Sequence, residues 1–313
     1  MSRIHVVGLG AVGAAYASRF VEAGVDLRVV ADPERAERYR VEPTVVNGRA
    51  YRFALLDDDR PADLVLVAVK HPQLAEAIEL LRPGIGRKTV VLSLLNGIES
   101  EDRLRAGLPG AHVPYAICVG IDAVRDGREV RYSSLGRILF GEATNTDPPT
   151  SAVARVADLL AKAGIPHAVP ADMLHELWWK FLINVGANQV SAIIAAPYRV
   201  LQDREQPARQ VMIAAQREVI AVAGASGIAL DESDIERWLH VLDGLSADNY
   251  TSMAQDALAG RPTEVDIFGG AMIELGRRTG VPVPVNTTLH GLLKGIRPSS
   301  RHGRSAAGTP AGC

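Results

Sequence analysis

Residues 4–30 read IHVVGLGAVGAAYASRFVEAGVDLRVV. Ile4–Val7 is a short apolar run, as expected of a strand buried on both faces. It leads directly into GLGAVG, Gly8 to Gly13, and then into an Ala-rich helical segment that runs to about Ala23 and stops at Gly24. Leu27–Val30 is the next strand-like run. Strand, glycine loop, helix and strand in this order predict the opening βαβ unit of a dinucleotide-binding domain. Gly8 permits the tight turn, Gly10 lets the backbone approach a pyrophosphate, and Gly13 lets helix and strand pack closely. Leu9, Ala11 and Val12 complete the loop, whose amides and helix dipole suit an anion. Asp32 follows the second strand, 19 residues beyond Gly13. An acid at that distance typically accepts a hydrogen bond from the ribose 2′-OH of NAD.

Working outward, Asp63–Val69 and Thr89–Leu92 read as further strands, each βα-connected, with Lys70 ending the first and Asn96-Gly97 following the second. Both fall at the C-terminal sheet edge, where doubly wound sheets bind ligands. His112–Ala116, Ile117–Val124, Glu129–Tyr132 and Ile138–Gly141 read as β segments. A helix over Ser151–Ala163 and a strand near His167–Val169 complete a first domain, residues 1–170. From 171 to 297 the pattern is nearly all helix, with helices expected at Gln206–Ala225, Glu232–Leu242, Ser252–Ala259, Glu264–Thr279 and Val285–Gly295. The Ser/Arg/Gly/Ala-rich stretch 298–313 reads as a disordered tail. The fold class expected is α/β, an N-terminal Rossmann-type doubly wound sheet followed by an all-α domain.

The 313 residues are 47% apolar and carry a net charge of −2, enough for a full core and without a basic footprint for nucleic acid. Cys118 and Cys313 support neither a disulfide framework nor a metal site. No apolar run reaches the roughly 18 residues a membrane span requires. A soluble cytoplasmic protein is expected.

One helix carries the chemistry. Asp172 to Pro197 places Leu174, Leu177, Trp178, Phe181, Leu182 and Val185 on an apolar face. Lys180, Asn184 and Asn188 recur at i, i+4 and i+8, stacking an ammonium and two carboxamides along one side of three turns. A cation beside two neutral amides is poor salt-bridge design and good anion- or carbonyl-binding design.

This helix resembles the W-x-K-x3-N-x3-N helix of the ketopantoate reductases (2-dehydropantoate 2-reductases). GLGAVG, VAVK ending at Lys70, LNGI around Asn96, NYTSMAQDALAGRPTEVD from Asn249 to Asp266, and VPVPVN at Val281–Asn286 agree in order and spacing. The resemblance implies reduction of 2-oxopantoate to (R)-pantoate by NADPH, on the route to coenzyme A. It implies Lys180 as the general acid, with Asn184, Asn188, Asn249 and Ser252 holding substrate. Asn96 would lie near both nicotinamide and substrate, Glu264 would bind ligand hydroxyls and take part in catalysis and cofactor binding, and Lys70 would bind cofactor. Hydride addition builds negative charge on the ketone oxygen, which a positioned lysine stabilises and protonates.

Three positions depart from the family pattern. Leu95 replaces the usual Gln, Tyr198 stands where some members place asparagine, and Asp32 stands where the NADPH pattern has Arg. Asp32-Pro33 is also a good helix start, which would leave Arg35 and Arg38 for a phosphate. NADP(H) is therefore the expected cofactor, with NAD(H) the alternative. A small 2-oxo acid is the expected partner, in a homodimer. Two other readings compete. One is a related 2-oxo acid reductase or 2-hydroxy acid dehydrogenase outside pantothenate synthesis. The other is a silent nucleotide sensor, which would need none of the Lys/Asn/Ser/Glu set together.

Overall fold

In the computed structural model, which describes residues 2–296, the strands are β1 (Arg3–Val7), β2 (Asp26–Val30), β3 (Thr44–Val46), β4 (Arg49–Tyr51), β5 (Leu64–Val67), β6 (Val90–Ser93), β7 (Tyr115–Ile121), β8 (Val124–Asp126), β9 (Glu129–Arg131), β10 (Leu135–Gly141) and β11 (His167–Ala168). The chain divides into two units. One runs through Phe181 and includes Gly227–Leu230; the other comprises Leu182–Ser226 and the chain from Asp231. The expected tail, 298–313, lies outside the described residues.

In the first unit β2, β1, β5 and β6 form a parallel sheet in that order. Successive residues feed opposite faces. Ile4, Val6, Leu64, Leu66, Val90 and Leu92 pack with Tyr16 and Phe20, whereas Val7, Val65, Val67 and Val91 pack with Leu74, Ile78, Leu81 and Leu104. Each such aliphatic side chain contributes about 1.5–3 kcal/mol on burial, so the two faces are what hold the sheet. Helices α1 (Ala11–Glu22), α2 (Pro33–Val41), α3 (Leu74–Leu81) and α4 (Ser100–Gly107) connect its strands or follow them. The register pairs Val7 with Val30 and with Val67, and Val67 with Ser93. The C-terminal ends of all four strands therefore share one edge.

Two smaller sheets complete the unit, in the orders β11-β10-β7 and β4-β3-β9-β8. The expected strand Ile117–Val124 is broken, because the Asp122 carboxylate leaves the strand pattern to accept from Ser133 N (2.9 Å) and Ser134 N (2.8 Å). The segment expected from His112 is regular strand only from Tyr115, since Pro114 has no N–H for a ladder. The β3–β4 hairpin was not expected. Its turn is Asn47-Gly48, both at positive φ (46° and 80°), as a two-residue hairpin requires. Helix α5 (Ser151–Lys162) begins at an N-cap Thr150, whose side chain accepts from Val153 N.

The helix expected over Asp172–Pro197 is not one uniform α-helix. It comprises α6 (Met173–Ile183), a π-helical turn Asn184–Asn188, and α7 (Gln189–Ile194), which ends at Ala195 in the left-handed region (φ 50°). The division between the units falls within α6. The π turn coincides with Gly186, where a Cβ would lie 2.6 Å from Gln216 Cγ, so the missing side chain admits a neighbouring helix. In the second unit follow α8 (Tyr198–Gln202), α9 (Pro207–Ala225), α10 (Glu232–Asp243), α11 (Ser252–Leu258), α12 (Ala271–Thr279) and α13 (Pro284–Gly295). The helix expected to open at Glu264 instead starts with a second π turn, Asp266–Gly270, that runs into α12.

Candidate active site

At the edge of the parallel sheet the functional surface is made largely of backbone. Gly8 has φ +93°, and a Cβ there would lie 2.6 Å from the Ala68 carbonyl oxygen. A Cβ on Gly13 would collide with the Gly8 carbonyl oxygen, so only glycine allows α1 to start this close to β1. Gly10 is the N-cap of α1 and brings no side chain, and the first turn contains no acid. Its own added Cβ would meet nothing nearer than 3.8 Å. Open, uncapped amides without a competing carboxylate fit a dinucleotide pyrophosphate.

Asp32 follows β2 and caps α2. Its Oδ1 accepts from Arg35 N at 2.9 Å and its Oδ2 from Arg35 Nη1 at 2.8 Å. The Arg35 backbone donor, aided by the guanidinium charge, holds the Asp32 carboxyl below its usual range. Arg35 Nη1 also donates to Glu76 Oε1 at 3.2 Å, so two carboxylates share this guanidinium. Lys70 is exposed just past β5, and its N–H donates to Gln73 Oε1. Asn96 is half-buried in the loop after β6, beside Gly97 at φ +91°. The strand register thus assembles the glycine loop, Asp32, Lys70 and Asn96 along one edge.

Lys180 is half-buried on the last turn of α6. Met173 and Leu177 of the same helix pack on Ile117 of β7 and Leu139 of β10, and Trp178 meets Phe181 edge-on at 5.8 Å. Burial pushes the Cys118 thiol up, and the Lys180 charge opposes that shift.

In the second unit Asn188 is 6% exposed and its Nδ2 donates to Asn184 Oδ1 at 3.3 Å. Asn184 Nδ2 is shielded from solvent and meets no hydrogen-bond partner among the described residues. A buried amide donor left unpaired costs about 1–3 kcal/mol, which a ligand oxygen would recover. Asn249 is exposed, and its carbonyl accepts from Tyr198 N. The cap of α11 is Thr251, which accepts from Ala254 N and lies 2.6 Å from Ser191 Oγ, so Ser252 is left exposed beside it rather than serving as cap. Glu264 is half-buried just ahead of the second π turn, and its carbonyl accepts from Ile267 N. The two π turns, the first of which carries Asn184 and Asn188, pack on each other, and α11, which opens at Ser252, packs on the first.

The support beneath these groups escaped sequence reasoning. Gln189 Nε2 donates to Val185 O (2.8 Å) and Asn286 Oδ1 (3.0 Å), and Asn286 Nδ2 donates to Glu218 Oε2 (2.8 Å). This buried network backs the first π turn. Its available signals were Asn286 inside VPVPVN and glycines within helical patterns, Gly186 and Gly269.

Residues 4–145 match the family of ketopantoate reductase PanE/ApbA, and residues 172–297 match the C-terminal region of the same enzymes. The chain belongs to the ketopantoate reductase family. A 2-dehydropantoate 2-reductase of Pyrobaculum aerophilum is 28% identical over 295 residues, covering 93% of this chain and 96% of that protein. The structure of a PanE/ApbA family ketopantoate reductase from Ralstonia eutropha is 28% identical, with TM-score 0.79 over 94% of this chain and 98% of that one. D-Mandelate dehydrogenase with NADH and anilino(oxo)acetate shares the fold, with TM-score 0.82 at 22% identity, over 94% of this chain and 97% of that one. The chain is an oxidoreductase of the 2-dehydropantoate 2-reductase type, from an NAD(P)H-dependent family. No described helix is long and apolar enough to cross a membrane.

Proposed function

We propose that the protein reduces 2-dehydropantoate to (R)-pantoate with NADPH, serving pantothenate and coenzyme A synthesis in the cytoplasm. The observation that carries this reading is the helix joining Lys180 to Asn184 and Asn188, in which Asn184 Nδ2 is a buried donor with no hydrogen-bond partner among the described residues. The amides would bind oxygens of the 2-oxo acid without competing for the lysine charge. When bound, the reduced nicotinamide supplies a hydride to C2. Lys180 transfers a proton to the ketone oxygen as negative charge develops there, so the carbonyl becomes a hydroxyl. Glu264 accepts hydrogen bonds from ligand hydroxyls, Ser252 and Asn249 line the substrate, and Asn96 orients it. Gly8 to Gly13 and Lys70 hold the cofactor. A homodimer is part of this reading, as a ketopantoate reductase of Staphylococcus aureus is dimeric.

A second reading, NADH as the donor, is favoured by one observation. Arg35 is already shared by Asp32 and Glu76, so a 2′-phosphate would meet two carboxylates and one guanidinium. Two like charges about 4 Å apart repel by roughly 1 kcal/mol in water and several when shielded. Arg38, exposed one turn further along α2, adds positive charge there.

The test is steady-state reduction of a panel of 2-oxo acids with each reduced cofactor. The highest kcat/KM is expected for 2-dehydropantoate with NADPH. A higher value for another 2-oxo acid would reject the substrate, and a strong NADH preference reversed by Asp32→Arg would reject the cofactor.

A further inference from the structure

The loop that carries Asn96 is clamped from beneath by a buried acid. It spans residues 94–99, between Ser93, the last residue of β6, and Ser100, the first of α4. Ser93 Oγ and Ser100 Oγ lie 2.7 Å apart, which ties the two ends of the loop together. Ser100 Oγ donates its single proton to Glu101 Oε2 at 2.8 Å. Ser93 is therefore the donor to Ser100, and its own oxygen accepts from Leu95 N at 3.3 Å. Glu101 Oε1 accepts from Ala116 N at 3.4 Å, reaching across to β7. Every donor in the chain Leu95, Ser93, Ser100 points toward the same carboxyl group.

Glu101 is 1% exposed. Burial pushes its carboxyl up, and the Ser100 hydroxyl opposes that shift. Arg105, one turn along α4, is bonded instead to Asp102 and to the Val113 carbonyl. Burying an acid without a bonded cation is costly. An apolar residue would fill the same space at lower cost if packing were all that the position required.

We propose that Glu101 is a positioning residue of the reductase: through Ser100 and Ser93 it fixes both ends of the 94–99 loop and so holds the Asn96 carboxamide in place for substrate. The proposal rests on the reading of Asn96 as a site residue. Placement errors of about 1 Å at a reacting group can cost a hundredfold in rate, so a loosened loop acts on turnover before it acts on cofactor affinity.

The test is a double-mutant cycle between Glu101 and Asn96 on the full chain. Glu101→Leu is expected to lower kcat about tenfold or more, with cofactor affinity, read by nucleotide fluorescence titration, changed less than about twofold. Glu101→Gln, whose amide oxygen can still accept from Ser100 Oγ, is expected to recover most of the lost turnover. In an Asn96→Ala background, Glu101→Leu should cost almost nothing further, because the group being positioned is gone. Ser93→Ala cuts the relay in its middle without touching the acid and gives the same cycle if Glu101→Leu does not fold. Multiplying losses in both cycles would overturn the proposal, since a purely structural acid acts whether or not Asn96 is present. Full turnover in Asn96→Ala would reject the reading of Asn96 and the positioning role with it.

Discussion

At the edge of the parallel sheet the candidate cofactor surface consists of what is missing: side chains at Gly8, Gly10 and Gly13. In the helical unit the candidate substrate surface consists of what is present: carboxamides at Asn184 and Asn188, set on a π turn and backed by Gln189, Asn286 and Glu218. At Gly8 and Gly13 a surface of bare amides tolerates no added atom, because the collision is with backbone. A surface of side chains loses one partner at a time, and its losses are graded.

The largest expected effect tests the first half of that contrast. Gly13→Ala drives a methyl group into the Gly8 carbonyl oxygen, and neither backbone can retreat without separating α1 from β1. Dinucleotide binding should be lost to titration, and stability should fall by several kcal/mol, as overpacking against backbone does. Near-normal cofactor affinity in this variant would show that the loop is not the cradle.

The next effect concerns a buried polar group of the parallel sheet. His5 on β1 is fully buried, and neither ring nitrogen has a hydrogen-bond partner among the described residues. Burial, with help from the Arg3 charge, lowers its pKa from 6.5 to about 4. The folded state therefore holds His5 neutral. Its stability contribution is full above about pH 6.5 and is lost as pH falls from there toward 4, by up to about 3 kcal/mol. Denaturant unfolding at both ends of this window should show the drop, and His5→Phe should flatten it. An equal drop in the variant would assign the acid sensitivity elsewhere.

Graded losses are expected in the helical unit. Asn184→Ala and Glu264→Ala should each weaken the substrate complex by about 1–3 kcal/mol. Unchanged KM and kcat in both would remove them from the site and undo the contrast.

The same difference explains what was legible in the sequence. The glycine loop could be read because each glycine answers a backbone constraint that holds wherever a strand turns into a helix this tightly. Lys180, Asn184 and Asn188 could be picked out by type and spacing, but their geometry could not, because π turns arise from tertiary contacts. Gly186 admits Gln216, and Gly269 stands where a Cβ would strike Gln189. Such contacts between distant positions leave only isolated glycines as a local trace. The β3–β4 hairpin was legible through Asn47-Gly48 and went unread, since runs of three residues are too short to show alternation. Asp32 was ambiguous between ribose ligand and helix cap. The structure shows it capping α2 while bound to Arg35.

The central claim is that Lys180 delivers the proton to the substrate oxygen, and replacing it tests that claim most directly. Lys180→Ala should lower kcat for 2-dehydropantoate by about 10²–10⁴, the usual worth of a general acid, while cofactor affinity measured by fluorescence titration stays nearly unchanged. A properly folded Lys180→Ala protein that kept near-wild-type turnover would contradict it.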